Sequence, residues 1–186
     1  RRSHVAVAAV LAAIALAVPV TGSSYWIYTL TIVAIYATAM IGLNLLVGYA
    51  GQMSFATTTF MAIGGYASAV LTTKLSWNPW AACAAGVIAA GLVAYVIGFP
   101  LLRLRGHYLA MATFALAICT ISLVSGAQSI TGGTSGLPGV PPLTLGNMNF
   151  STPVAAYYLC AAVCALALAA AAGLIDSRTG RAWRAL

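Results

Sequence analysis

Negative charge is almost absent from this chain, which carries one acid, Asp176, among 186 residues. The absence excludes several kinds of chemistry. Paired carboxylates for general acid/base work do not exist. A carrier driven by protons or sodium would show acids inside its membrane spans, and none is present there. No phosphate loop ending in Lys-Ser/Thr occurs, and with the magnesium-holding acid missing too, this chain cannot hydrolyse ATP. Histidine is limited to two residues and cysteine to four. Cys83, Cys119, Cys160 and Cys164 all fall in apolar runs, where a thiol acts as a small hydrophobe that lets helices approach. Cys160 and Cys164 share a helical face, but no His or acid joins them, so neither a metal nor any other cofactor is expected in this chain.

What is present is oil. The sequence is 62% hydrophobic and 5% charged, against about a quarter charged for an ordinary soluble domain. No water-facing surface can be made from that composition, and the apolar excess must face lipid. The net charge of +7 raises the question of nucleic acid, but the basic residues argue against it. Arg1, Arg2, Lys74, Arg103, Arg105, Arg178, Arg181 and Arg184 cap the ends of apolar runs and never form a stripe with interleaved aromatics.

Apolar runs long enough to cross a bilayer predict an all-α polytopic membrane bundle of about six transmembrane helices. The spans are 5–20, 25–47, 55–73, 79–102, 108–125 and 153–175. The first has the look of a signal peptide, with Arg1 and Arg2 before an apolar core. It is read as a retained helix, because no clear small-x-small cleavage site precedes Tyr25. Alternating spans with the N-terminus in the cytoplasm collect seven Arg inside and leave Lys74 outside, as the positive-inside rule requires. Trp26, Trp77 and Trp80 then sit near outer span ends, where interfacial aromatics belong. The chain thus reads as one transmembrane domain over 1–186, with an external loop at 126–152 and a cytoplasmic tail at 176–186.

Two stretches depart from lipid-facing helix. Gly48-Tyr49-Ala50-Gly51-Gln52-Met53-Ser54 joins two spans without any charge. It is either a broken or re-entrant segment after the second span, presenting a helix N-terminus near Ser54, or a tight cytoplasmic turn. The 126–152 loop is rich in Gly, Pro, Ser and Thr, and a loop of that length is usually functional or disordered. Within it, Thr131-Gly132-Gly133-Thr134-Ser135-Gly136 lacks the basic residue of a nucleotide loop, and its outer position suits a docking surface or pathway lid.

Among single residues, Asn44 and Gln52 are amides in or near spans, where each needs a partner. Asn44 reads more simply as a helix-to-helix hydrogen bond than as a translocation residue. Gly64 and Gly65, with Ser68 and Ala69, form a small-residue stripe whose default role is close packing and whose minority role is ligand contact. His107 is read as an interfacial polar residue rather than a proton shuttle.

Taken in order, Gly42 to Ser54, Ile63-Gly64-Gly65-Tyr66, Leu102 to Ala110, Thr131 to Leu137 and Gly180 to Ala185 resemble the motifs of permease subunits of branched-chain amino acid ABC importers, the LivM type. The resemblance covers nearly the whole chain. It implies import of branched-chain or related amino acids across the bacterial inner (plasma) membrane. It also implies two ATP-binding cassette subunits, a second homologous permease subunit and a periplasmic substrate-binding protein as partners. Asn44, Gly48, Gly51, Gln52, Ser54, Thr57, Gly64 and Gly65 become candidates for the substrate pathway. Thr131, Gly132, Gly133, Thr134 and Gly136 become candidates for the binding-protein dock, and Arg178, Gly180, Arg181, Trp183 and Arg184 for the ATPase-facing surface. Two departures leave the transported amino acid open: Ala56-Thr57 stand where many members have a small residue and a His, and an acid common near Ile118 is absent. Such permeases continue past the last motif into a coupling helix, so this chain is expected to end before it. The competing readings are an ATP-independent channel or carrier for a small neutral solute, and a non-transporting membrane scaffold.

Overall fold

A computed structural model describes residues 23–101, 103–104, 106–145, 148–150, 152–177 and 180. The described residues form an all-α membrane helix bundle. Helix α1 spans Ser24–Ala50, α2 Thr57–Lys74, α3 Pro79–Leu101, α4 His107–Gly126 and α6 Pro153–Asp176, with a single turn, α5, at Gln128–Thr131. These five long helices match the last five expected spans to within a few residues, while the first span, 5–20, lies outside the described residues. Four of them, α1, α3, α4 and α6, are long and apolar enough to cross a membrane. Helix α2 is shorter and less apolar. Its 18 residues rise about 27 Å, close to the roughly 30 Å of a hydrocarbon core, and its position among α1, α3 and α4 reduces its exposure to lipid.

Several hydroxyl-bearing residues are tolerated in these helices because they find a local acceptor. Thr29, Thr31, Thr38, Thr73 and Thr120 donate to the carbonyl four residues back at 2.8–2.9 Å, and Thr72 does so toward Ser68. An unbonded hydroxyl in hydrocarbon would be costly, so this back-bonding lets threonine serve inside a membrane.

The helices associate as two groups. Helix α2 packs chiefly on α3, and α4 joins them with contacts to both; α1 packs chiefly on α6, from the far end of the chain. The α2–α3 contact is built from small residues. Gly86 comes so close to α2 that a Cβ there would stand 2.6 Å from the Gly64 carbonyl oxygen and 3.2 Å from Ser68 Cβ, and Ala82 beside it is fully buried. Small residues allow this approach where lipid offers no hydrophobic drive for association. Asn78 and Pro79 start α3, the Asn78 side chain accepting the Trp80 N–H at 3.0 Å. An Asn cap followed by Pro at the first helical position is well suited to that end.

The end of the bundle that holds Lys74 is closed by the loop after α4. Lys74 Nζ donates to the Ser129 carbonyl. Trp80 Nε1 donates to the Thr144 carbonyl at 2.8 Å and its ring meets Phe150 edge-on at 6.4 Å. A two-residue antiparallel ladder, β1 (Thr144–Leu145) with β2 (Met148–Asn149), lies in the same loop. No regular structure is expected in this stretch from its composition; α5 and the ladder are additions to the helices read from sequence. Helix directions place Lys74 and Arg103 at opposite ends, with Trp26, Trp77 and Trp80 at the Lys74 end.

Candidate functional site

The glycine-rich joint after the second span becomes an elbow. Helix α1 runs through Asn44 and Gly48 to Ala50, then stops at Gly51, which takes the left-handed conformation at φ 64° and ψ 17°. A residue with a Cβ pays to adopt that geometry, and glycine does not. The freed Leu46 carbonyl accepts the N–H groups of Gly51 and, at 3.3 Å, Gln52. Residues 51–56 are non-helical and lead directly into α2, so the helix extends further, and the joint is shorter, than the apolar run suggests.

The far side of the elbow is tied to α4. The Phe55 N–H donates to Thr113 Oγ1 at 3.1 Å, while that hydroxyl shares its own proton with the carbonyls of Leu109 and Ala110 at 2.9 and 3.0 Å. Ser54 Oγ accepts the Ala56 N–H at 3.3 Å. Phe55 and Phe114 meet edge-on at 5.9 Å. Further along, the buried hydroxyls of Thr120 and Thr59 bond at 3.2 Å. Thr59 and Thr113 are each only 1% exposed.

Between the two helix groups lies an open apolar groove. One portion, about 410 Å³, is lined by Ala39, Gly42, Leu43 and Leu46 of α1 and by Ser54, Ala56, Thr57, Phe60 and Met61 of the elbow and α2. The adjoining portion, about 360 Å³, shares Ala39 and Met61 and adds Ile35, Thr38, Leu159, Cys160 and Val163. Its walls are aliphatic and aromatic, and Ser54 and Thr57 bring hydroxyls to one end.

Of the pathway candidates, Ser54 and Thr57 thus face the groove together. Gln52 is half-buried in the elbow. Asn44 is exposed on α1, its Oδ1 lying over the open space at Gly48, where a Cβ would be 3.1 Å away. Gly64 belongs to the α2–α3 contact, and Gly65 faces open space. Three residues escaped the sequence reading: Gly86, Thr113 and Thr120. The sequence offers only general hints, the small-residue spacing Ala82, Gly86, Ala90 on α3 and two threonines seven apart on α4, and neither singles these residues out.

The outer-loop candidates form a compact knot on the end of α4. Thr131 is buried, and its hydroxyl reaches the carbonyls of Val124 and Ala127 at 2.6 and 2.9 Å and accepts the Gly133 N–H at 3.2 Å. Gly133 is buried with it, Gly132 and Gly136 are half-buried, and Thr134 is exposed. Replacing Thr131 with Val should leave the Gly133 N–H unpaired and cost about 1–3 kcal/mol locally. Limited proteolysis should then cut within 126–152 faster than in wild type, while Thr131→Ser should resist like wild type.

At the other end, Arg103 lies over the Phe99 ring at 5.0 Å. The backbone folds back on the end of α6 at Gly180, whose N–H reaches Ser177 Oγ at 3.4 Å. A Cβ on Gly180 would collide with the Leu174 and Ile175 carbonyls. Arg178, Arg181, Trp183 and Arg184 lie outside the described residues.

Part of this sequence is similar to known proteins. The chain is 34% identical over 121 residues to the "High-affinity branched-chain amino acid transport system permease protein LivM" of Escherichia coli strain K12. It is 33% identical over the same length to the protein of that name from Salmonella typhimurium. Each alignment covers 65% of this chain and 28% of the relative, so the chain spans well under half the length of the curated relatives it matches. No solved structure matches it. The family model described as "Branched-chain amino acid transport system / permease component" extends over residues 25–186, taking in the elbow, the groove walls and the Thr131–Gly136 knot alike. With helices built to cross a bilayer several times, the chain is a multi-pass membrane protein that belongs to this permease family.

Proposed function

We propose that this chain is part of the permease subunit of an ATP-driven importer, carrying branched-chain or related amino acids across the bacterial inner membrane. The observation that carries the reading is the family match over residues 25–186, supported by relatives named as permeases of a branched-chain amino acid transport system. The groove fits that cargo. Leu43, Leu46, Phe60 and Met61 offer an apolar bed for a branched aliphatic side chain. Ser54, Thr57 and the first turn of α2 offer hydroxyls and a positive dipole end to the carboxylate. Partial charges of this kind match a zwitterion without burying an ionic cage.

In this reading the N-terminus and the Arg103 end face the cytoplasm, in keeping with the positive-inside rule. Two ATPase subunits dock on that side near Arg178, Gly180, Arg181, Trp183 and Arg184, and supply the hydrolysis that this chain has no residues to perform. A second homologous permease subunit completes the pathway. A periplasmic binding protein delivers the amino acid to the 126–152 loop, with Thr134 the exposed member of its knot.

Reconstitution of the full-length permease into vesicles with its ATPase and binding-protein partners tests this directly. Radiolabelled leucine uptake should require both ATP and the binding protein. Uptake persisting without either would identify a passive channel or carrier instead, and no uptake of any branched-chain amino acid would favour a scaffold.

A further inference from the structure

The elbow is fixed from outside itself. Its last backbone N–H before α2 to be held by another helix, that of Phe55, is bonded to a hydroxyl from α4, and the same hydroxyl is anchored to its own helix by the Leu109 and Ala110 carbonyls. Thr113 is 1% exposed and stands outside the groove lining, so it does not itself meet a ligand there. Two residues on from Phe55, the chain delivers Thr57 to the groove, and one residue before, Ser54. A second hydroxyl contact, Thr120 to Thr59, repeats the tie deeper in the bundle.

Resting on the importer reading above, we propose that Thr113 is a positioning residue for transport: its hydroxyl latches the Phe55 N–H to α4 and so holds Ser54 and Thr57 on the groove wall. A valine at 113 cannot replace the latch, since its side chain offers the freed N–H no acceptor. The elbow, having lost its tie, would settle into other arrangements in which Ser54 and Thr57 no longer present hydroxyls side by side. Helix α2 packs on both α3 and α4, so the wall carrying these hydroxyls is tied to that group, while the facing wall belongs to α1 and α6.

The test compares Thr113→Val, which keeps the shape and loses the hydroxyl, with Thr113→Ser, which keeps the hydroxyl. Both are made in the full-length permease reconstituted with its partners and matched for membrane abundance. A separate readout adds Met53→Cys, at an exposed elbow position, and follows maleimide modification of the new thiol by mass spectrometry, which reads it apart from the native cysteines. Thr113→Val should lower maximal leucine uptake about tenfold, the effect expected from stranding one part-buried donor, and should raise modification at position 53 severalfold. Thr113→Ser should restore both to within about twofold of wild type. Wild-type uptake by Thr113→Val, or equal loss in Val and Ser, would overturn the latch. Should Thr113→Val fail to accumulate in the membrane, Thr113→Ala takes its place under the same criteria. If the wild-type protein imports no branched-chain amino acid, the transport reading fails on its own; the labelling arm still decides the latch, which falls if the thiol at position 53 reacts equally with Val or Thr at 113.

Discussion

Replacing Gly86 with Ala should push α2 and α3 apart and cost about 1–3 kcal/mol, the usual penalty for forcing extra volume into a packed contact. A single methyl group is enough because what it meets is backbone. The added Cβ would lie 2.6 Å from the Gly64 carbonyl oxygen, and a carbonyl in a helix cannot rotate away as a side chain can. The helices must separate along their whole contact or one must shift in register. Neighbouring glycines supply the controls. A Cβ at Gly64 would meet the Gly86 carbonyl and Ala90 at 3.6 and 3.7 Å, ordinary contact distances, and one at Gly65 would meet nothing within 4 Å. Gly64→Ala and Gly65→Ala should therefore unfold near the wild-type temperature in detergent, and Gly86→Ala well below it. Equal melting of all three would show that α2 and α3 do not meet at this spacing.

The second large effect is expected at Gly132. Its φ of 74° lies in the left-handed region, where a non-glycine residue costs on the order of 1 kcal/mol. A Cβ would also collide with the Gly136 carbonyl oxygen and come within 2.7 Å of its carbon. Neither cost can be relieved while Thr131 stays bonded to Val124 and Ala127. Gly132→Ala should thus release the knot from α4 and weaken the seat of the rest of the loop on Trp80. Protease cleavage within 126–152 should accelerate more than for Thr131→Val, and, on the proposed importer reading, binding-protein-dependent uptake should fall while the rest of the bundle stays folded. At Gly136, with φ 72° and ψ −179°, the backbone lies in a region essentially confined to glycine, so Gly136→Ala should also loosen the loop although its Cβ would meet nothing within 4 Å.

The bundle was legible in the sequence because lipid imposes a simple rule: an apolar run of sufficient length must be a helix, since no other conformation satisfies its backbone. That rule found the five long helices among the described residues. The elbow was half legible. Its glycines announced a break, but a break and a turn share the same residues, and only the left-handed Gly51 with the Leu46 carbonyl separates the helix end from the residues that follow. The outer loop was the least legible, because the Lys74 and Trp80 contacts join residues far apart in sequence. Small-residue stripes can be read as close approach, yet nothing in the order of residues ranks Gly86 above Gly64. The ranking depends on which glycine faces a carbonyl, and that is a property of two helices together. Likewise Thr113 looks like any back-bonding membrane threonine until the Phe55 N–H is seen beside it.

The pairing of α1 with α6 sets an order on biogenesis. Helices α2 and α3 are adjacent in the chain and can dock as soon as both have entered the bilayer, at little loop-closure cost. Helix α1 emerges earlier than either but has to wait for α6, the last of the described helices to leave the ribosome. Among the described helices, none but α6 covers a flank of α1 extensively. A nascent chain halted before α6 should accordingly hold a formed hairpin beside an orphaned first partner, the form of the protein most exposed to membrane quality control.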